Sequence, residues 1–473
     1  MGLRNTLVAL LVLAGLVGFI YYYEYRGEPA REAAREAETK PWIFERDQIA
    51  AIAIAPSQGE HLRLRRQDDT WRITSPIETL ADSGKVDNLL NKARFLRINR
   101  TIEHVTPAER KAYKLDPPAA RMTLQRSENP DGADDLTLAI GDKAPVGEGY
   151  YALKPGEDDV ILLSGGIEEI LAAGAKSLRL KKLVGVDSWK ITSFKVEAGD
   201  RSLEVKKTGD LWKLARPVPF PADAGRVQQV LDSLASAEAV DFASEDPSAE
   251  DLRRFGLTPE PLVIEVLASD ANIPVRATLG ASDQAGHVYA RRGDMRAILK
   301  IDAKVSETLH DALARPQTLR DARVAPINRF GLTRIAMRSP GGETLLLKDD
   351  GSKWHWGGEK GSVVDSEKIN AFLDAIEALK AESFVDEGSP AEPSAAPFSV
   401  TLSEGEDEAV RRVITMRFLR KDGERAYMAS SAAASLYVLP AEKVDALIKS
   451  ADEIHEPPAS PDPSESKGDN QGG

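Results

Sequence analysis

DDTWRITSPIETLADSGKVDNLLNKARFL, residues 68–96, is a phrase this chain writes three times. It returns as GDLWKLARPVPFPADAGRVQQVLDSL at 209–234 and as GSKWHWGGEKGSVVDSEKINAFLDAIEAL at 351–379. Trp71, Trp212 and Trp354 stand 141 and 142 residues apart, and each is followed eleven positions later by an aspartate: Asp82, Asp223 and Asp365. An offset held three times marks an internal repeat, in which each copy is one structural unit.

After each aspartate comes an apolar stripe. It reads Val86, Leu89, Leu90, Ala93 in the first copy, Val227, Val230, Leu231, Leu234 in the second, and Ile369, Phe372, Leu373, Ile376 in the third. The spacing i, i+3, i+4, i+7 predicts one face of an amphipathic helix. The aspartate stands four positions before the first apolar residue. A carboxylate there accepts from free backbone N–H groups and meets the positive helix end, so it is expected to be the N-cap.

Before each tryptophan the period changes from helical to alternating. IAAIAIA leads into HLRLRRQDDTWRI, ITSFKVEAG into SLEVKKTGDLWKL, and LTRIAMRS into ETLLLKDDGSKWHW. Period-two alternation punctuated by Gly or Asp turns predicts antiparallel hairpins. Beyond the helix, copies one and two share YKLDPPAARMTL (113–124) and FGLTPEPLVIEV (255–266), each followed by further strands. The third copy departs. It lacks the proline found at Pro76 and Pro217, and SPAEPSAAPFSVTL replaces the Leu-x-Pro segment, although VITMRFLRKDGERAYMAS and LYVLP still supply late strands.

The fold class expected is therefore α+β: three tandem repeats of antiparallel sheet with a covering amphipathic helix, behind one N-terminal transmembrane helix. The boundaries are a tail 1–5, an anchor 6–23, a charged stalk 24–41, repeat units at 42–183, 184–322 and 323–450 (divergent), and a disordered tail 451–473. A chain of 473 residues demands several cores, and 42% hydrophobic with 29% charged residues is the composition of a folded protein. A formal charge of −13 disfavours nucleic acid as partner, since duplex binding rests on Lys and Arg neutralising phosphates. With no cysteine there are no disulfides, thiolate metal sites or cysteine nucleophiles.

Thr6–Tyr23 is eighteen residues without a charge, the length needed to cross a bilayer as a helix. A cleaved signal peptide would have a shorter apolar stretch and small residues at the cleavage site, whereas YYYEYRGEPAREAAREAETK follows here, bulky and then charged. An uncleaved anchor is the expectation. Counting Arg26, Arg31, Arg35 and Lys40 against Arg4 favours the short tail outside. The opposite orientation, large domain outside, is preferred on resemblance alone.

That resemblance rests on W-x-[IL]-x-x-P, A-D-x-x-x-V and [YF]-x-L-x-P behind an anchor. It is carried by Trp71, Pro76, Asp82, Leu115 and Pro117 in the first copy and by Trp212, Pro217, Asp223, Leu257 and Pro259 in the second. The chain resembles the domain of unknown function 4340 family over nearly its whole length after the anchor, the third copy poorly. The resemblance implies a bacterial inner-membrane, single-pass protein with periplasmic repeats, often encoded beside ABC-type export systems similar to those linked with gliding motility. It implies no reaction, cofactor or catalytic residue.

The function expected is a non-catalytic, membrane-tethered extracytoplasmic binding or scaffold subunit, with an ABC-type transporter permease as candidate partner. An envelope-polymer hydrolase is the alternative, requiring two carboxylates within about 10 Å or a Ser/His pair in one cleft. A secreted soluble binding protein is another. The aspartates read as caps rather than a metal or acid/base array, and the tryptophans as core, with His355 and Trp356 the exposed exceptions. None of the six histidines has metal-ligand spacing, so no metal site is expected. VGEGYY (146–151) reads as a hairpin turn and RLKKL (179–183) as a solvated linker or a contact for lipid headgroups or an acidic partner.

Overall fold

The computed structural model describes residues 38–455 except 69, 127–134, 146–148, 351, 358–360, 387–395 and 406–411, together with isolated positions 13, 16 and 21. Two compact units result, Met1–Lys181 and Lys182–Gly473. The first holds one sheet and the second holds two, all three antiparallel.

The first sheet consists of β1 (Ile49–Pro56), β2 (Leu62–Gln67), β3 (Thr70–Ser75), β4 (Thr79–Leu80), β5 (Arg97–Ile102), β6 (Ala120–Arg126), β7 (Leu136–Lys143), β8 (Tyr150–Leu153) and β9 (Val160–Ser164). Its strand order is β4-β3-β2-β1-β6-β7-β8-β9-β5. Four helices belong to it: α1 (Ser83–Arg94), α2 (Pro107–Ala112), α3 (Ile167–Leu171) and α4 (Ala175–Leu178). The alternation in β1 buries Ile52 and Ile54 in the core with α1 and turns Ala51, Ala53 and Ala55 to the opposite, uncovered face. Trp42 closes the core from the chain's start, its indole N–H donating to the Ala93 carbonyl at 2.7 Å.

In the second unit β10 (Ile191–Ala198), β11 (Arg201–Thr208), β12 (Leu211–Arg216), β13 (Phe220–Pro221), β14 (Ala239–Ser244), β15 (Leu262–Ala268), β16 (Val275–Ser282), β17 (His287–Arg292) and β18 (Ile298–Asp302) repeat that order strand for strand. Their helices are α5 (Ala224–Ser236), α6 (Ala249–Arg254) and α7 (Ala303–Ala314). The last sheet is β19 (Leu332–Ser339), β20 (Gly342–Lys348), β21 (Trp354–Trp356), β22 (Ser383–Val385), β23 (Phe398–Glu404), β24 (Arg412–Asp422), β25 (Arg425–Ser430) and β26 (Ala433–Pro440), with α8 (Ser366–Glu377) and α9 (Ala441–His455). Its order, β21-β20-β19-β23-β24-β25-β26-β22, is the same without the short edge strand that β4 and β13 provide. That strand is missing where the sequence loses its proline. Pro76 and Pro217 each follow a cis peptide bond and lead into β4 and β13, whereas the third copy has the single bridge His355–Val363 there. The opening strand of every copy carries a register shift near its start, between Ile49 and Ala51, Ile191 and Ser193, and Leu332 and Arg334.

Each predicted stripe is the buried face of its helix in α1, α5 and α8. The covering layer is thicker than one helix per copy: α7 packs on α5 and α9 on α8, while in the first copy α3 joins α1. Helix α9 runs to His455, so the third unit passes its expected end at 450 and residues 451–455 are helical rather than tail. The buried cores of the second and third sheets are continuous: Phe220 of β13 stands 4.9 Å from Phe384 and 5.3 Å from Tyr437, centroid to centroid. The segment 179–183 is not a freely solvated linker. Arg179 and Leu183 are buried, the Leu180 N–H donates to the Leu80 carbonyl, and the Leu183 N–H donates to the Ala237 carbonyl. Among the described residues no helix is long and apolar enough to cross a membrane; the run Thr6–Tyr23, isolated positions apart, and the tail from 456 lie outside them.

Candidate binding surfaces

The signature residues turn out to be joined by the backbone. The Trp71 carbonyl accepts from the Ala81 N–H at 2.8 Å, that of Trp212 from Ala222 at 2.9 Å, and that of Trp354 from Val364 at 2.8 Å. The donor in each case is the residue before the aspartate, so the eleven-residue offset closes a loop that returns the chain to the tryptophan strand. All three indoles are buried. Asp82 then accepts from the Lys85 N–H, Asp223 from Arg226 and Asp365 from Glu367, at 3.2, 3.0 and 2.8 Å. Each carboxylate serves the first turn of its own helix. In the first two copies the aspartate's N–H also donates to the next connecting segment, to the Leu178 and Leu319 carbonyls.

The Leu-x-Pro segments are structural as well. Tyr113 stacks on Tyr151 at 4.1 Å and Phe255 packs tilted on Tyr289 at 4.3 Å, over the small clusters around Leu115 and Leu257. Pro117 and Pro259 both follow cis peptide bonds. The carbonyls of Tyr113 and Phe255 lie so close to Gly141 and Gly280 that a Cβ there would meet them at 2.1 Å.

His355 and Trp356 are only partly exposed, because β21 tucks Trp356 against the core and a turn wraps the imidazole. His355 Nε2 is 2.9 Å from Asp349 Oδ2 and Nδ1 is 3.0 Å from the Gly361 carbonyl. The Gly361 carbonyl, and after it Asp349, hold this imidazole above its ordinary range. Both nitrogens face acceptors, an arrangement that favours the protonated ring, which can donate to both. His287 faces Asp283, whose carboxyl is drawn down to about 2, chiefly by the His287 backbone N–H and, against desolvation, by that of Ala285. Among the described residues no group of three or more His, Asp or Glu side chains is placed to hold a metal. Among the described residues the two most exposed aromatics are Trp189 and Phe330, at equivalent points in the short turns before β10 and β19, where no periodic pattern flags them.

A buried charge joins the second and third copies. Arg320, 4% exposed, gives Nη1 and Nη2 to Asp386 at 2.7 and 2.9 Å and lies 4.8 and 5.1 Å from the rings of Phe220 and Phe384. Ser435 donates to the same carboxylate at 2.6 Å. The Arg320 guanidinium is the main cause that holds Asp386 below the usual carboxylate range, and burial pushes the Tyr437 phenol well above its own. Arg226 and Gln317 line the cavity of about 540 Å³ outside this pair.

What the copies leave open is part of the sheet face opposite the helices, beside the strip that the Leu-x-Pro segment covers in the first two. On the second sheet that face carries ion pairs: Lys195 pairs with Glu197 at 2.9 Å and Lys206 with Glu204 at 2.7 Å. The first sheet is different. Its open face carries Arg63, Arg65, Arg72 and Arg121 around Ala51, Ala53 and Ala55, with a cavity of about 420 Å³ between β2 and β6.

Compared with known families, residues 71–214 and 212–400 each match the family model described as Domain of unknown function (DUF4340). The two matched segments start at Trp71 and Trp212, the tryptophans of the repeated phrase. No curated protein matches the chain.

Proposed function

The chain belongs to the DUF4340 family, and from that premise we propose that it is a membrane-tethered, extracytoplasmic scaffold that binds other proteins and performs no catalysis. The carrying observation is the open sheet face presented by each copy of the repeat, broad and lined by strand side chains, behind helices that close the other side. Repeating a broad face multiplies the contact area offered to partners. The neighbourhood that the family resemblance implies makes a permease of an ABC-type exporter the partner to seek, with the apolar run Thr6–Tyr23 as the tether.

Mild cross-linking of membranes followed by affinity capture of the full chain tests this reading. Recovery of a transporter permease supports it, and capture of nothing beyond the chain itself counts against it. Mass spectrometry of the mature N-terminus tests the tether: residues 6–23 retained keep the anchor, and their loss makes the protein a secreted binder.

A further inference from the structure

We propose that the open face of the first sheet docks an acidic, extended polypeptide segment of a partner protein, laid along β1 between the arginines of β2 and Arg121 of β6. The proposal rests on the scaffold reading and names the chemistry of one partner.

The register builds the groove. Ala53 is flanked by Arg63 on β2 and Thr123 on β6, Ala51 by Arg65 and Gln125, and Ala55 by Arg121. Three methyl groups therefore floor a trough whose walls stand two strand spacings apart, about 9.5 Å. Among the described residues Arg63, Arg65, Arg72 and Arg121 have no ion-pair partner and no side-chain hydrogen bond. Arg65 even sits directly across from Arg72. Like charges opposite one another destabilise a sheet, so four unneutralised guanidinium groups on one face are a local energetic loss that an anionic occupant would reverse.

The second copy supplies the comparison within the same molecule. At equivalent register positions Ser193, Lys195 and Glu197 replace the three alanines, Glu204 replaces Arg63 and Val263 replaces Arg121. There the floor is filled and three cations meet acids: Lys195 meets Glu197, while Lys206 and Arg216 meet Glu204, and Lys213 alone keeps the place of Arg72 across from Lys206. The backbone is shared, so the basic trough is a property of the first copy's side chains rather than of the fold. It is also opposite in sign to a chain whose formal charge is −13.

Shape selects the occupant. Arg63 and Arg65 are two residues apart on one strand, hence about 6.8 Å, which is the spacing of alternate side chains in an extended peptide. A strand with an acid at every second position presents its carboxylates in step with that row, and each can take a bidentate guanidinium contact. A lipid bilayer is flat and cannot enter a trough whose floor is recessed below its arginines. Asp135 lines the trough beside Gln125, so the acids of the bound segment lie over β2 and not at the β7 side.

The test uses the full chain in detergent and a fluorescent peptide of about ten residues alternating Glu and Val, beside a block peptide of the same composition and vesicles rich in phosphatidylglycerol. The alternating peptide binds, and affinity falls as salt rises from about 50 to about 300 mM. The double variant Arg63→Glu/Arg65→Glu weakens binding by about tenfold or more, and Ala53→Trp, which fills the floor without altering charge, by about fivefold. Circular dichroism melting of both variants confirms that they fold. Unchanged binding by either variant, equal binding of the block peptide, or a preference for the vesicles overturns the proposal. Membrane cross-linking separates the two levels: a partner captured equally by wild type and by the double variant removes this face but keeps the scaffold, whereas no partner for wild type removes the scaffold itself.

Discussion

Arg320 and Asp386 form a two-pronged ion pair, at 2.7 and 2.9 Å, between the segment that ends the second copy and the residue that follows β22, the edge strand of the third. Its partners are unequal in exposure. The Arg320 side chain is 2% exposed and that of Asp386 is 42%, so removing the acid strands a buried cation, while removing the cation leaves an acid that water can reach. Asp386→Ala is expected to destabilise the second unit by about 2–3 kcal/mol, below the cost of breaking a fully buried pair because water partly screens the carboxylate. Arg320→Met, which keeps an apolar chain between Phe220 and Phe384, is expected to lose less. Urea midpoints for the two single variants and the double variant measure this, and a coupling free energy near zero would show that the pair does not join the copies.

The three capping aspartates are expected to behave alike. Asp82→Ala, Asp223→Ala and Asp365→Ala each remove one acceptor from a helix start, worth about 1 kcal/mol apiece. Asn at the same positions retains the acceptor and recovers most of the loss. Thermal melts of the six variants check the point, and a neutral Asp223→Ala would mean that packing of Val227, Val230, Leu231 and Leu234 alone holds α5.

The glycine behind each Leu-x-Pro segment admits nothing larger. An alanine Cβ at Gly141 or Gly280 meets a main-chain carbonyl at 2.1 Å, and a backbone atom cannot rotate away as a side chain can. Gly141→Ala and Gly280→Ala are each expected to lose about 3 kcal/mol or more, or to fail to fold. Gly174→Ala is the control, since nothing lies within 4 Å of its added methyl. Equal soluble yields and melting temperatures for the three would exclude the close approach.

The repeat was legible because its strongest marks are local and periodic. Stripes such as Val86, Leu89, Leu90, Ala93 report helix and buried face together, and one cap closes each. The second layer of helices was harder to see. Val305, Leu309 and Leu313 in α7 are periodic, but the first copy breaks the same region into two short helices around Gly174, so the copies do not reinforce each other there. Arg320 and Asp386 are 66 residues apart and carry no pattern that links them. The basic trough falls between these cases. HLRLRR declares its alternation plainly, yet only pairing of β2 with β1 and β1 with β6 places Arg63, Arg65 and Arg121 about the same alanines.

The imidazole of His355 supplies a test by pH. With the Gly361 carbonyl and Asp349 both accepting, the folded state favours the protonated ring and its pKa lies above the ordinary His value of about 6.5. A raised folded pKa means that the contribution is fully present below about pH 6.5 and is lost as pH climbs through the folded value. Lys353, on the same turn, acts in the opposite direction, so Lys353→Gln is expected to raise the pKa further and Asp349→Asn to lower it. Titration of the His355 ring protons by NMR reads all three. In hydrogen exchange the turn from 352 to 357 should lose protection at alkaline pH in the wild type and at every pH in His355→Gln. A His355 titration at or below the value of a free histidine would show that the two acceptors do not favour the protonated ring.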